Sequence, residues 1–361
     1  MTDQTATPAW TWLGPGAALV LGGIGMAVLH GDVPMAVFVI AVPILFVAVF
    51  AAVHHAETVA HRLGQPFGSI LLALAVTVIE VSLIVSLLLS SPEAGSSVAR
   101  DTVFAALMIV LNGIMGLCLL IGGIRFHEQT FQARSASAAL GVLGTLAVLG
   151  LVLPNFTTTT PGPIYAPTQL IFVAVLSLAL YALFLYVQTI RHKEAFLDED
   201  ADDIPQAPPT KRAFLIALGL LPLALLSVVL LAELLAHPVE AAIAGSGFPE
   251  ALIGVVIALI VLMPEGVASL RAARANRLQT SINLALGSSL ASLCLTIPTV
   301  AILSIAMGQP LILGLEAEHI VLLLLSLFMA TLTLSSGRTT VLQGGIHLVI
   351  FLAFLTIAAI P

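Results

Sequence analysis

Charge is scarce in this chain. Asp, Glu, Lys and Arg together make up 9% of its 361 residues, against roughly 25% in a soluble domain. So few charges cannot cover a water-facing surface, which excludes a cytosolic enzyme, a secreted domain and a disordered scaffold. Basic runs are missing and the formal net charge is −7, so nucleic acid is not an expected partner. Cysteine is rare too. Cys118 and Cys294 both lie in apolar runs without metal-ligand spacing, so packing is their expected role and a disulfide framework is not expected. There is no His-Glu-x-x-His, no Gly-x-Ser-x-Gly and no Walker loop, which argues against an intramembrane enzyme and an ATP-driven pump. The segment Met1–Trp12 lacks the basic start of a signal peptide, and Trp10 and Trp12 stand where interfacial aromatics precede a first span.

What the chain has is apolar length. Apolar residues make up 59% and the mean hydropathy is +1.13. A bilayer core needs about 20 apolar residues per helix, while barrel strands would alternate over about half that length. Breaking the sequence at charged and Pro/Gly-rich stretches gives eleven segments: 13–30, 35–54, 67–90, 102–124, 135–153, 168–190, 213–235, 249–268, 280–306, 317–335 and 340–360. The expected fold is an all-α membrane protein of about eleven transmembrane helices. With the N-terminus inside, every Lys and Arg except Arg100 falls in an inside loop. Cytoplasmic loops carry such an excess, so the N-terminus is expected in the cytoplasm and Pro361 outside.

The loop from Arg191 to Arg212 holds Asp198, Glu199, Asp200, Asp202 and Asp203, then Pro205, Pro208 and Pro209. It reads as a solvated cytoplasmic linker, or as a patch that attracts cations at a vestibule. It divides the chain into residues 1–34 (an extra helix), 35–190, the linker 191–212, and 213–361. The halves repeat. Ala73-Leu74-Ala75-Val76-Thr77-Val78-Ile79-Glu80 aligns with Ala258-Leu259-Ile260-Val261-Leu262-Met263-Pro264-Glu265, with Ala, Leu, Val and Glu at the same offsets. Intramembrane Glu is rare, so its recurrence is the informative match. Five helices separate the two positions, and an odd shift means that the halves enter the membrane in opposite directions. That is the inverted-repeat plan of secondary transporters.

Glu80 is the sole charge between Phe67 and Leu89. A carboxylate there costs ~3 kcal/mol or more unless it is protonated or faces a cation. Either state suits a carrier that trades protons for cations. Pro264 frees a backbone carbonyl one turn before Glu265, and such oxygens suit a hard cation. The plainer reading of either acid is a hydrogen bond between helices. Thr77, Asn112, Asn283, Gly287, Ser288 and Ser289 are candidate supporting ligands, with close helix packing the alternative for the Gly-Ser-Ser run. Glu233, Glu240 and Glu250 read as outer or interfacial groups. His347 reads as a hydrogen-bonded packing residue, and His54, His55 and His61 as a cytoplasmic loop.

The stretch Ala56-Glu57-Thr58-Val59-Ala60-His61-Arg62-Leu63-Gly64, followed by Glu80, resembles the first repeat of calcium/proton antiporters in the Ca²⁺:cation antiporter superfamily. Leu119-Leu120-Ile121-Gly122-Gly123-Ile124-Arg125 with Glu128, Gln129 and Phe131 resembles the end of that repeat. Ala232-Glu233-Leu234-Leu235, Glu240, Pro249-Glu250-Ala251-Leu252-Ile253-Gly254, Glu265, Asn276 and Gly287-Ser288-Ser289 resemble the second. The resemblance implies two inverted five-helix repeats plus an extra first helix in a bacterial inner membrane. It implies Ca²⁺, with Na⁺ or K⁺ as alternatives, exchanged for H⁺, with no permanent cofactor and with Glu80 and Glu265 binding cation and protons in turn. The Gly-Asn-Ala usual before each glutamate is Val76-Thr77-Val78 and Leu262-Met263-Pro264 here, which leaves fewer neutral oxygens. Fewer ligands favour a monovalent ion or a mixed specificity.

Overall fold

The computed structural model describes residues 8–29, 34–64, 71, 74–75, 77–82, 84–85, 95–196, 209–246, 249 and 251–360. Among these it is almost wholly helical, as an apolar chain in lipid must be, because backbone groups there have no water to bond. Nine helical stretches among the described residues are long and apolar enough to cross a membrane. Each coincides with one of the eleven expected segments. The other two, 67–90 and 249–268, are those that carry the glutamates, and part of each lies outside the described residues. The acidic run from Asp198 to Asp203 and the side chains of Glu240 and Glu250 also lie outside them.

The chain packs as two compact units, Met1–Leu87 with Ile204–Glu250, and Leu88–Asp203 with Ala251–Pro361. In the first unit, helices Trp10–Leu29, Met35–Leu63 and Lys211–Ser246 all pack on one another. Gly22 makes this possible, since a Cβ there would stand 3.0 Å from the Leu230 backbone. The second helix was expected to end at residue 54, with His54 and His55 in a loop. It instead runs on to Leu63, where Gly64 turns the chain at a φ of +72°. Nothing between 54 and 63 breaks a helix, and His55 is buried, its Nε2 donating to the Thr11 carbonyl at 2.8 Å. Residues 71, 74–75, 77–82 and 84–85 are helical, and Ala75 packs with Ala56 and Leu221.

The second unit is built around Leu278–Met307. This helix touches Ala251–Arg274, Pro167–Tyr186, Ala133–Ala147 and the span that contains Gly95–Met108 and Met115–Phe126. Its middle residues Leu290, Ala291, Leu293 and Cys294 are almost fully buried. Small residues set the closest crossings. A Cβ on Gly254 would stand 3.0 Å from the Thr102 nitrogen, and one on Gly344 only 2.3 Å from the Leu120 nitrogen. Helices Ala317–Ser335 and Val341–Ala359 complete the unit. The outward faces remain apolar: Ile171, Phe172 and Val175 are all at least half exposed, a surface that lipid accepts and water does not.

Loops in this unit join in two separate sets. Gln129–Thr130 pairs antiparallel with Arg338–Thr339, in the register Gln129↔Thr339. Gln129 Nε2 also donates to the Ala273 carbonyl at 3.1 Å and to Asn276 Oδ1 at 2.9 Å. At the other set, Ile164 bridges Ile312, Asn155 Nδ2 donates to the Leu315 carbonyl at 3.0 Å, and Arg100 reaches the Gly314 carbonyl at 3.2 Å. Every loop in the first set was expected inside and every loop in the second outside, so the alternation of spans drawn from charge is obeyed within this unit.

Candidate functional site

Two buried acids stand out, one in each unit. Glu80 is 2% exposed, in the first unit. Thr77 lies one helical turn before it and is equally buried, and residues three apart share a helix face. Leu74 and Val78 occupy the exposed side. The helix is therefore amphipathic in reverse for a membrane, with its polar face turned inward and its apolar face outward.

Glu265 is 8% exposed, in the second unit. It lies within the helix Ala251–Arg274, directly after Pro264. Ser288 Oγ donates to Glu265 Oε1 at 3.3 Å, so one candidate ligand is brought to this acid. Ser288 belongs to a stripe on Leu278–Met307 that continues through Ser292 to Thr296, at the four-residue spacing of one helix face. Buried Ser289 Oγ and Thr296 Oγ1 have no hydrogen-bond partner among the described residues. A carboxylate that accepts from a buried hydroxyl has a neutral oxygen beside it of the kind that suits a hard cation or a shared proton. A Cβ on Gly287 would meet nothing within 4 Å among the described residues.

Asn283 and Asn112 are placed in other networks. Asn283 Nδ2 donates to the Phe196 carbonyl at 2.6 Å, and its Oδ1 accepts from Gln279 Nε2 at 2.8 Å. Gln279 in turn bonds Ser135 and the Gln132 backbone. This knot fastens the start of Leu278–Met307 to the loop before Ala133–Ala147.

Asn112 lies in a π-helical turn, Ile109–Ile114, whose residues are all buried. Its bonds can be directed by elimination. Ser326 Oγ donates to the Leu322 carbonyl at 2.7 Å, so it accepts from Asn112 Nδ2 at 2.8 Å. The Asn112 oxygen then faces His347 Nδ1 at 3.1 Å, and that nitrogen must carry the proton. With a neutral ring, Nε2 accepts from Thr333 Oγ1 at 3.2 Å. The expected hydrogen-bonded role of His347 is what the structure displays, but Ser326 and Thr333 were not anticipated. Nothing in their spacing announces them, since a helical Ser or Thr commonly bonds its own preceding turn. The π turn also meets the Glu265 helix, because a Cβ on Gly266 would stand 3.3 Å from Ile114 Cδ1.

Comparison with known proteins gives concordant matches. The family model described as sodium/calcium exchanger protein matches residues 33–190 and 216–360. A Sinorhizobium fredii protein, named only as a candidate ionic transporter, is 52% identical over 98% of this chain and 97% of its own length. The sodium-potassium/proton antiporter ChaA of Escherichia coli is 35% identical over 85% of this chain and 84% of its own. Among solved structures, the H⁺/Ca²⁺ exchanger CAX aligns with a TM-score of 0.72 at 17% identity, covering 96% of this chain and 89% of that one.

Proposed function

This chain belongs to the sodium/calcium exchanger protein family, and on that premise we propose that it is a secondary antiporter that exchanges Ca²⁺ for protons, with Glu80 and Glu265 binding cation and protons in turn. The observation that carries this reading is the pair itself. Two acids in matching sequence contexts, one in each half, are both more than nine-tenths buried in an otherwise apolar chain.

The chemistry follows from their charge. A buried carboxylate that gives up its cation gains proton affinity. Protons and a divalent ion then compete for the carboxylates, and that competition couples the fluxes. Rearrangement of two inverted five-helix repeats, with helix 13–30 as the extra element, exposes the acids to each side in turn. Thr77, Ser288 and Ser289 supply neutral oxygens in this scheme. Asn112 and Asn283 serve more remotely, as anchors of the surrounding helices. The membrane is the bacterial inner membrane, crossed eleven times, with the N-terminus and the acidic linker on the cytoplasmic side.

A second reading, Na⁺ or K⁺ in place of Ca²⁺, is favoured by the name of the Escherichia coli relative and by the missing Gly-Asn-Ala residues. Inside-out vesicles with a pH dye, titrated with Ca²⁺, Na⁺ and K⁺ separately, distinguish the two. Glu80→Gln and Glu265→Gln are each expected to abolish cation-driven proton movement by at least about a hundredfold while the protein still inserts, since a lost ligand charge costs several kcal/mol. Unchanged exchange in either variant removes that residue from the mechanism.

A further inference from the structure

At the loop set expected outside, three groups converge that the transport scheme does not use. The carboxylates of Glu316 and Glu318 and the imidazole of His319 each offer a ligand atom, and these atoms all lie within 4.8 Å of one another. Glu316 is the N-cap residue of Ala317–Ser335, and Glu318 sits in its first turn. We propose that this cluster is a binding site for a first-row divalent metal ion of the Zn²⁺ class, separate from the membrane acids.

Three observations support it. The first is the histidine. His319 is 7% exposed, and its Nδ1 is buried with no hydrogen-bond partner among the described residues. Its ring is held by Phe104, with centroids 4.8 Å apart, and so is presented to the carboxylates in a fixed orientation. A buried ring nitrogen without a partner costs free energy, which a metal bond made at that nitrogen would recover. The second is charge. The groups that act electrostatically on His319 are Asp101, Glu316, Glu318 and Arg100. One guanidinium against three carboxylates leaves two formal negative charges, which a divalent ion would cancel. Arg100 is already committed, to Asp101 at 2.7 Å and the Gly314 carbonyl at 3.2 Å, and it reaches Glu316 only at 3.6 Å. The third is donor type. Two carboxylate oxygens with one imidazole nitrogen suit Zn²⁺ and its neighbours, whereas Ca²⁺ and Mg²⁺ take oxygen alone.

The spacing asks for little movement. Zinc holds oxygen and nitrogen at about 2.0–2.2 Å in tetrahedral geometry, so two of its ligands stand about 3.3–3.6 Å apart. Glu316 is exposed and Glu318 half-buried, and rotation of these two side chains closes the difference. The metal would tie the N-cap residue of Ala317–Ser335 to its first turn.

The test is Zn²⁺ binding to purified, tag-free, full-length protein in detergent at pH 7.5, followed by calorimetry. One equivalent is expected to be weakened about tenfold or more in His319→Gln and in Glu318→Gln, in line with the loss of one ligand. Glu80→Gln and Glu265→Gln should retain it. Melting midpoints without metal identify any variant that fails to fold. If His319→Gln does fail, Glu318→Gln alone decides, because its carboxyl is only half-buried. Binding unchanged in the folded variants, or lost with the membrane acids instead, overturns the site.

Discussion

At the scale of single residues, polar atoms in this chain are costly enough that each one tells where it must bond. The Nδ1 proton of His347 is dictated by a chain of hydrogen bonds that ends on the Leu322 carbonyl, its acceptor, and passes through Ser326 and Asn112. His347→Leu would leave the Asn112 oxygen and the Thr333 hydroxyl without that partner. A loss of about 1–2 kcal/mol is expected, the usual worth of such bonds between membrane helices, read as a lower melting midpoint in detergent. His347→Gln, which restores a donor, should recover part of it. If leucine melts at the same temperature as histidine, the network is ornamental.

The same cost explains which residues of the site were legible in the sequence. Glu80 and Glu265 are visible because a lone charge in an apolar run has few reasons to exist. Ser288 could be suspected from its small-residue run, and it does reach Glu265. Ser326 and Thr333 could not, and Glu316, Glu318 and His319 were passed over because charge at the end of a span is ordinary. Their convergence depends on the Phe104 ring and on Arg100, which are more than two hundred residues away in sequence.

At the scale of elements, apolar length predicted the helices well, since each must span the same thickness of hydrocarbon. It did not predict how they are modulated. The π turns Ile109–Ile114, Val148–Val152 and Val187–Arg191 leave no periodic mark. The pairing of Gln129–Thr130 with Arg338–Thr339 is too short for any strand pattern to register. Helix contacts were also hidden, because a glycine in an apolar helix looks the same whether it faces lipid or a neighbour. Gly344→Leu separates the two cases. Its side chain would begin 2.3 Å from the Leu120 nitrogen, so the helices must part, and a marked fall in melting midpoint is expected. Gly23→Leu, where a Cβ meets nothing within 4 Å, should be tolerated. Equal behaviour of the two would contradict the crossing of Met115–Phe126 with Val341–Ala359.

At the scale of the whole molecule, the segregation of loops can be tested from outside the cell. Thr158 and Gln309 belong to the set with Arg100, and Ser336 to the set with Gln129. In a background with Cys118 and Cys294 replaced by alanine, a membrane-impermeant thiol reagent should label Thr158→Cys and Gln309→Cys in intact cells. It should reach Ser336→Cys only after the membrane is opened. Labelling of all three in intact cells would dismiss the orientation drawn from Arg and Lys.

The order of the units along the chain has a practical result. Each takes a stretch from before the acidic linker and a stretch from after it. In the first unit Gly22 lies against Leu230, and in the second Gly116 lies against His347. Severing the polypeptide between residues 201 and 208 would therefore cut a tether and leave both cores whole. Two separately translated pieces, one ending and one starting in that stretch, should find each other in the bilayer and come off an affinity column together.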